Sequence, residues 1–505
     1  MRIGLLVRPI IETLELRVLL QGVTFVPHVD YGTGTDAQGI AVADFNGDGI
    51  PDVVVANKGS NDISVFAGNG DGTFAPNHNY YTAYYPVAVA AADLTGDGHE
   101  DIIVANNTSN SVSVLLGNGN GTFKNHVDYP VGTHPEGIAA ADLNGDGNLD
   151  IVTANFVDST VSILMGNGDG TFKPQEVLPV GNGPSSVAIA DLTGDGDQDI
   201  ITTDLNSHSI TILMGNGDGT FQAPRTYNVG TDPESVAVGD LTNNGTLDIV
   251  TANIVGDTVS VLLGNGNGTF KPAMNFSTGT GPYCAPDSVA IADVNNDGIP
   301  DIVTADGGFN YSIANAVAIL FGNGDGTFGA PEFYTVGNQP TGVAVSDLNG
   351  DGKEDIVSSN GYDGSFSALI NNTSGIVGMP TITQSGSTLI ITGTSGPDSA
   401  RLHVNNSDSL VVKIDGLREL FPAPSITAVT MSMGAGNDSV FIGNGAPSTI
   451  VRGGSGNDTI IAVNSASDTL ASNTGHDSIE AMNGNDLLKG SHGRDTLVAV
   501  RVTPA

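Results

Sequence analysis

The sequence predicts an all-β chain: a seven-bladed β-propeller followed by a smaller β-roll or β-solenoid. Two repeats carry that prediction. The stretch Asp44-Phe45-Asn46-Gly47-Asp48-Gly49-Ile50-Pro51-Asp52 returns, in close variants, at Asp93, Asp142, Asp191, Asp240, Asp293 and Asp347, spaced 49, 49, 49, 49, 53 and 54 residues apart. A period near 50 residues marks a propeller, a solenoid or an array. Towards the C-terminus, Asp468, Asp477, Asp486 and Asp495 fall nine residues apart, each with an apolar residue two positions on: Leu470, Ile479, Leu488 and Leu497.

Each long repeat reads as four antiparallel strands. In the fourth, Ser186-Val187-Ala188-Ile189-Ala190 runs into the Asp191 loop and Asp199-Ile200-Ile201-Thr202-Thr203 leaves it. Ser209-Ile210-Thr211-Ile212-Leu213 follows, then a Gly215-Asn216-Gly217-Asp218-Gly219 turn, Thr220-Phe221, and Arg225-Thr226-Tyr227-Asn228-Val229. Short β-branched runs bounded by Gly, Asn and Asp are strand signals, and no stretch carries a capped helical periodicity. Four strands in each of seven units close naturally as a propeller. The seventh unit ends after its third strand, whereas Thr24-Phe25 and Val26 to Tyr31 align with Thr73-Phe74 and its sequel 49 residues on. Residues 24–34 are therefore expected to complete the last blade and leave no open edge.

The acidic stretch places oxygen-bearing side chains at positions 1, 3, 5 and 9, with glycine at 6 where the backbone turns sharply. A hard cation such as Ca²⁺ takes about six to eight oxygens, and alternate residues of a tight loop can supply them, with a backbone carbonyl from position 7. An EF-hand would need flanking helices and a Glu at position 12, where Val55 and Val104 stand inside strands. Acidic turns without metal are the plainer alternative. The separate Gly-Asn-Gly-Asp-Gly turns at Asp71, Asp169, Asp218 and Asp325 read as hairpin turns, since Asn120 and Asn267 replace Asp in two others.

The acidic loop, the Val-Ala-x-x-Asp before it and the Gly-Asn-Gly-x-Gly-Thr-Phe turn resemble the FG-GAP or VCBS-type repeat of integrin α-subunit heads and bacterial surface proteins. The resemblance spans about 23–375. It implies Ca²⁺ between the first two strands of each blade, held by Asp44, Asn46, Asp48 and Asp52; by Asp93, Thr95, Asp97 and Asp101; and by Asp142, Asn144, Asp146 and Asp150. The corresponding sets are Asp191, Thr193, Asp195 and Asp199; Asp240, Asn244 and Asp248; Asp293, Asn295, Asp297 and Asp301; and Asp347, Asn349, Asp351 and Asp355. Blade five departs, because Asn244 takes the place of Asp at position 5. Thr95, Thr193 and Thr242 at position 3 are poorer ligands than Asn.

After Gly378-Met379-Pro380 a second region begins with alternating strand sequence. Its Gly-x-Asp triplets at Asp438 and Asp458, and the nine-residue spacing beyond, resemble the haemolysin-type (RTX) calcium-binding repeat. Only Gly453-Gly454-Ser455-Gly456-Asn457-Asp458 is a full match. The resemblance implies Ca²⁺ at Asp438, Asp458, Asp477, Asp486 and Asp495, against a metal-poor solenoid. The expected organisation is an export-related or flexible segment over 1–22, a propeller over 23–378 and a strand region leading into a β-roll over 379–505. The segment from Glu12 to Leu20 resembles a short Leu-Glu-x-Arg-x-Leu-Leu element of large bacterial surface proteins; an ordinary amphipathic helix is the alternative.

Sixteen Lys and Arg against 55 Asp and Glu give a formal charge of −39. Nucleic acid is thereby excluded as a partner, because phosphate binding needs a basic face. Twenty of the carboxylates sit in the seven loops, so the acidity is tied to the loops. A lone cysteine, Cys284, excludes an intrachain disulfide framework. No apolar run is long enough for a membrane helix. No His-Glu-x-x-His, Gly-x-Ser-x-Gly or helix-opening Gly-rich loop occurs. The expected function is a monomeric, secreted or cell-surface bacterial adhesion or recognition module for protein or glycan, stiffened by several Ca²⁺ ions. The alternatives are an extracellular polysaccharide lyase or other propeller enzyme, against which the insertions near Tyr283 and Asn310-Tyr311 count because they carry no basic residue, and a passive surface-layer protein.

Overall fold

The computed structural model describes residues 23–279, 284–307, 315–373 and 381–500, except 386, 395–397, 406–408, 415–416, 435–436, 464–465, 473–474, 483–485 and 491–494. Residues 1–22 and the insertions at Tyr283 and at Asn310-Tyr311 lie outside them. Among the described residues all regular structure is strand, apart from two 3-10 turns at Leu205–Ser207 and Ala423–Ser425.

Seven four-stranded antiparallel sheets form the blades of the first unit. Blade one runs Ala37–Ala43, Asp52–Asn57, Asp62–Phe66 and His78–Tyr81, and the pattern repeats to blade seven. The second and third strands are buried along almost their whole length, because a neighbouring blade covers each face. Successive side chains point to opposite faces. Val54 accordingly packs with Ile102 and Val104 of blade two, while Val53 and Val55 pack with Val357 and Phe366 of blade seven. Fourth strands such as His78–Tyr81 lie at the rim and stay largely exposed.

Blade seven takes its outer strand from the start of the described chain. Val29–Gly32 pairs antiparallel with Ser365–Leu369, Val29 opposite Ala368 and Gly32 opposite Ser365. Tyr31 stacks on Phe366 at 5.0 Å and meets Phe74 of blade one edge-on at 5.2 Å. The Tyr334 hydroxyl of blade six donates to the Val23 carbonyl at 2.8 Å.

A second unit covers Gly375 to Ala505. From Ala428–Gly434 onward the chain alternates between two sheets, and from Ser448–Arg452 each strand pairs parallel with the strand two earlier. Thr459 thus lies beside Ser439 on one side and Ser478 on the other. Two nine-residue repeats make one turn of the coil. Val440, Val451, Ile460, Leu470 and Ile479 fill its interior, the layout of a β-roll-like solenoid.

Candidate metal centre

Each acidic loop joins the first and second strands of its blade, and all are built alike. The position-2 side chain is a buried anchor: Phe45, Leu94, Leu143, Leu192, Leu241, Val294 or Leu348. Phe45 meets Phe123 of the next blade edge-on at 5.5 Å, so the Gly-Thr-Phe turn of one blade braces the loop of the one before. The position-1 carboxylate organises the turn. Asp44 Oδ1 accepts the N–H groups of Asn46, Gly47 and Asp48, and Oδ2 accepts that of Gly49 at 2.7 Å. Gly47 and Gly49 adopt φ of +76° and +81°, which an L side chain enters only with strain. Burial pushes the Asp93 and Asp191 carboxyls upward, but four backbone amides each outweigh it and hold them below the usual range.

Position 9 does a structural task in every blade. Asp52 Oδ2 accepts the N–H of Phe45 at 3.0 Å, and Oδ1 accepts that of Gly68, sixteen residues on, at 2.8 Å. Asp101, Asp150, Asp199, Asp248, Asp301 and Asp355 repeat both bonds. This carboxylate pins the acidic loop to the turn between strands three and four. All seven are buried. Burial pushes Asp52 and Asp355 up to about 6, the two amides pull back, and the other loop aspartates add to the rise. The spacing marked these residues as ligands; in blades one to five the Gly sixteen positions later was the sign of their second partner.

The position-5 side chains Asp48, Asp97, Asp146, Asp195, Asn244 and Asp351 face water, whereas the position-3 side chains are half-buried or buried. Asn46, Asn144 and Asn349 accept the N–H of the position-5 aspartates, Asp48, Asp146 and Asp351, at 2.9 Å. Thr95 and Thr193 instead donate to position 1. In blade five Asn244 accepts from Thr246 as Asp48 accepts from Ile50, so the loop keeps its shape without a third carboxylate. Asp195 and Asp97 hold the matching place in their loops, accepting from Asp197 and His99. Blade six brings Asp293, Asn295, Asp297 and Asp301 into the corresponding loop, with Asn295 buried.

Among the described residues no three carboxylate, imidazole or thiolate side chains converge as a cage. The donor chemistry nevertheless fits a hard cation: all-oxygen, two to three carboxylates per loop, and one of them buried with only neutral donors. Those neutral donors leave the charge uncompensated. The Gly-Asn-Gly-x-Gly turns differ. Asp71, Asp169, Asp218 and Asp325 accept the hydroxyl and N–H of the Thr two residues on, and that hydroxyl bond first of all holds them below the usual carboxylate range. Asn120 and Asn267 make the same bonds. A carbonyl oxygen suffices there.

In the roll the repeating aspartates form two inward ladders. Asp398, Asp438, Asp458 and Asp477 each donate a backbone N–H to Oδ1 of the next rung: Asp438, Asp458, Asp477 and Asp495. On the other side Thr449 donates to Asp468, and Asp468 to Asp486 at 2.9 Å. A Cβ on Gly393, Gly453 or Gly490 would collide with Oδ2 of Asp398, Asp458 or Asp495, each five residues later. That Gly-to-Asp spacing is the sequence signal for Asp398, which lies outside the Gly-x-Asp triplets and the nine-residue run.

Fold and loops together define a propeller of seven acidic-loop repeats. The FG-GAP-like repeat description matches residues 44–104, 93–153, 142–202, 191–251, 252–304 and 307–358. These matches cover more than half of the chain, which belongs to the FG-GAP-like repeat family. No curated protein matches it. Similar solved structures include a lectin from Agrocybe aegerita that recognises non-reducing terminal N-acetylglucosamine: 24% identity, 62% of this chain and 81% of that chain, TM-score 0.42. BBS1N in complex with ARL6DN is 11% identical over 70% of this chain and 99% of that one, TM-score 0.50. A functionally unknown protein from Desulfotomaculum acetoxidans is 11% identical over 60% and 91%, TM-score 0.44. At such identities the likeness concerns the fold alone.

Proposed function

We propose that the chain is a recognition module displayed outside the cell, whose propeller is stiffened by divalent cations, Ca²⁺ first, in its acidic loops. The observation that carries this reading is the sevenfold recurrence of one oxygen-rich loop, each with a buried carboxylate at its base. Such bunched charge repels itself unless a cation lies among it. Extracellular modules bind Ca²⁺ with Kd of about 10⁻⁴–10⁻³ M, so the ring would tighten on reaching millimolar calcium. Each site held at 100 times its Kd would add about 2.7 kcal/mol to stability. The role is binding of a protein or glycan, on a framework where loops are free to vary.

The test is a thermal melt in Ca²⁺ and in excess chelator, with bound metal counted by elemental analysis. A large rise in Tm and about one ion per fully acidic loop are expected. An unchanged Tm with no calcium found would overturn the reading.

A further inference from the structure

Among the described residues, the other links between an outer strand and the next inner strand carry no exposed aromatic at three matching positions; the link from blade one to blade two does. There the chain reads Tyr80-Tyr81-Thr82-Ala83-Tyr84-Tyr85-Pro86. Where Tyr81 stands, the other blades place Pro130, Pro179, Asn228, Ser277, Thr335 and Gly32. Where Tyr84 stands, uninterrupted links have Thr133, Asn182, Thr231, Asn338 and Thr35. Tyr85 sits at φ +68°, a place taken elsewhere by Gly183, His134, Asp232, Gln339, Asp36 and Ala285. A bulky residue in left-handed backbone is held there against its preference. Tyr81 and Tyr84 are 77% and 70% exposed. They flank a groove of about 800 Å³ between blades one and two, on the face opposite the acidic loops.

The backbone under these rings is fixed. Tyr84 N–H donates to Ser109 Oγ at 2.8 Å and Tyr85 N–H to Asn61 Oδ1 at 2.9 Å. Asn61 therefore keeps its Nδ2 as a donor. Asn110 does the same, its Oδ1 accepting from His134 N–H at 3.0 Å. On the far wall Asp128 Oδ1 takes the Ser113 hydroxyl at 2.6 Å and meets His126 Nδ1 at 2.9 Å, which leaves Oδ2 as an acceptor. The groove thus offers two ring faces, two amide donors and one carboxylate acceptor, and no Lys or Arg lines it.

We infer that this groove binds a neutral, hydroxyl-rich saccharide, the rings stacking on a sugar face while the amides and Asp128 pair with its hydroxyls. The inference rests on the recognition reading above and names its ligand class and site. A uronate or other acidic sugar would meet the Asp128 carboxylate with no Lys or Arg in the lining to offset it. A proline-rich peptide suits exposed aromatics, but its prolines have no N–H to satisfy Asp128.

The test prints neutral β-glucan, chitin and mannan oligosaccharides beside uronate oligosaccharides and a decaproline peptide, and probes them with the full chain in calcium. Tyr81→Ala, Tyr84→Ala and, as control, Tyr362→Ala (71% exposed) are compared after melts confirm folding. Binding to a neutral series, weakened about tenfold by each groove variant and unchanged in the control, is expected for loss of one stacked ring. Neutral-glycan binding untouched by both groove variants overturns this site while leaving the recognition reading in place. Capture by uronates or decaproline alone overturns the ligand class. Silence on every print overturns the inference, and the calcium melt then judges the recognition reading separately. The chain has no Trp, so tyrosine fluorescence reports the same titration in solution.

Discussion

Asp150 and Asp146 stand four residues apart in one loop and answer to different forces. Asp150 is buried and accepts two backbone N–H groups from separate turns, whereas Asp146 lies in water and accepts one from its own loop. Removing Asp150 orphans two buried donors, at about 1–3 kcal/mol each. Asp150→Ala should therefore lower stability by about 2–5 kcal/mol even in excess chelator, read by denaturant melts. Asp146→Ala should change the chelated protein by less than about 1 kcal/mol and reduce only the gain on adding calcium. Equal losses from both in chelator would refute the division of labour. Asp306 shows the same physics by default. Six blades give its counterpart a Ser or Thr from strand three, as Asn57 donates to Ser64 and Thr211 donates to Asp204. Blade six has Ala316 and Ala318 there, and Asp306 Oδ2 has no partner among the described residues. Ala318→Ser should raise stability by about 0.5–1.5 kcal/mol, and a loss on melting would refute it.

A blade cannot stand alone, because both faces of its middle strands need a neighbour. Closure by Val29–Gly32 supplies the last blade with an outer strand and removes an open edge. Tyr31 carries much of that contact through Phe366, Phe74 and Phe66. Tyr31→Ala should cost about 3 kcal/mol and free the strand, so limited proteolysis would cut near 23–36 first. Cleavage elsewhere at unchanged rate, with those residues protected, would contradict this. The roll follows another rule. Its parallel strands each pair with the previous turn, and the aspartate ladder ties rung to rung by backbone N–H bonds.

Across the whole ring, the inner strands enclose a channel of about 370 Å³ lined by Glu136, Glu234 and Asp287. Burial pushes Glu136 and Glu234 up to about 7 from 4.5, with Lys58 pulling both back and Asn107 helping at Glu136. Burial, then Glu234, raises Asp287 well above its usual value. A carboxyl whose pKa rises on folding favours the folded state while protonated. That stability is complete below the unfolded value near 4.5 and is lost as pH climbs through about 7. In excess chelator, Tm should fall between about pH 5 and pH 8, and Glu234→Gln should flatten the fall. A variant that tracks the parent at every pH would refute the assignment.

Blade number, strand order and the place of the acidic loops were legible in the sequence because each is local: turn residues at fixed offsets, alternation along a strand, a repeat that restates itself. The nine-residue spacing likewise announced the coil of the roll. The paired hydrogen bonds of the position-9 aspartates, the lack of a strand-three partner for Asp306, the convergence of Glu136, Glu234 and Asp287, and the groove beside Tyr84 were not legible. Each joins residues of different strands or blades, and which far-apart groups share a buried space is decided only when the ring closes. Local pattern chose the parts, and long-range packing chose their partners.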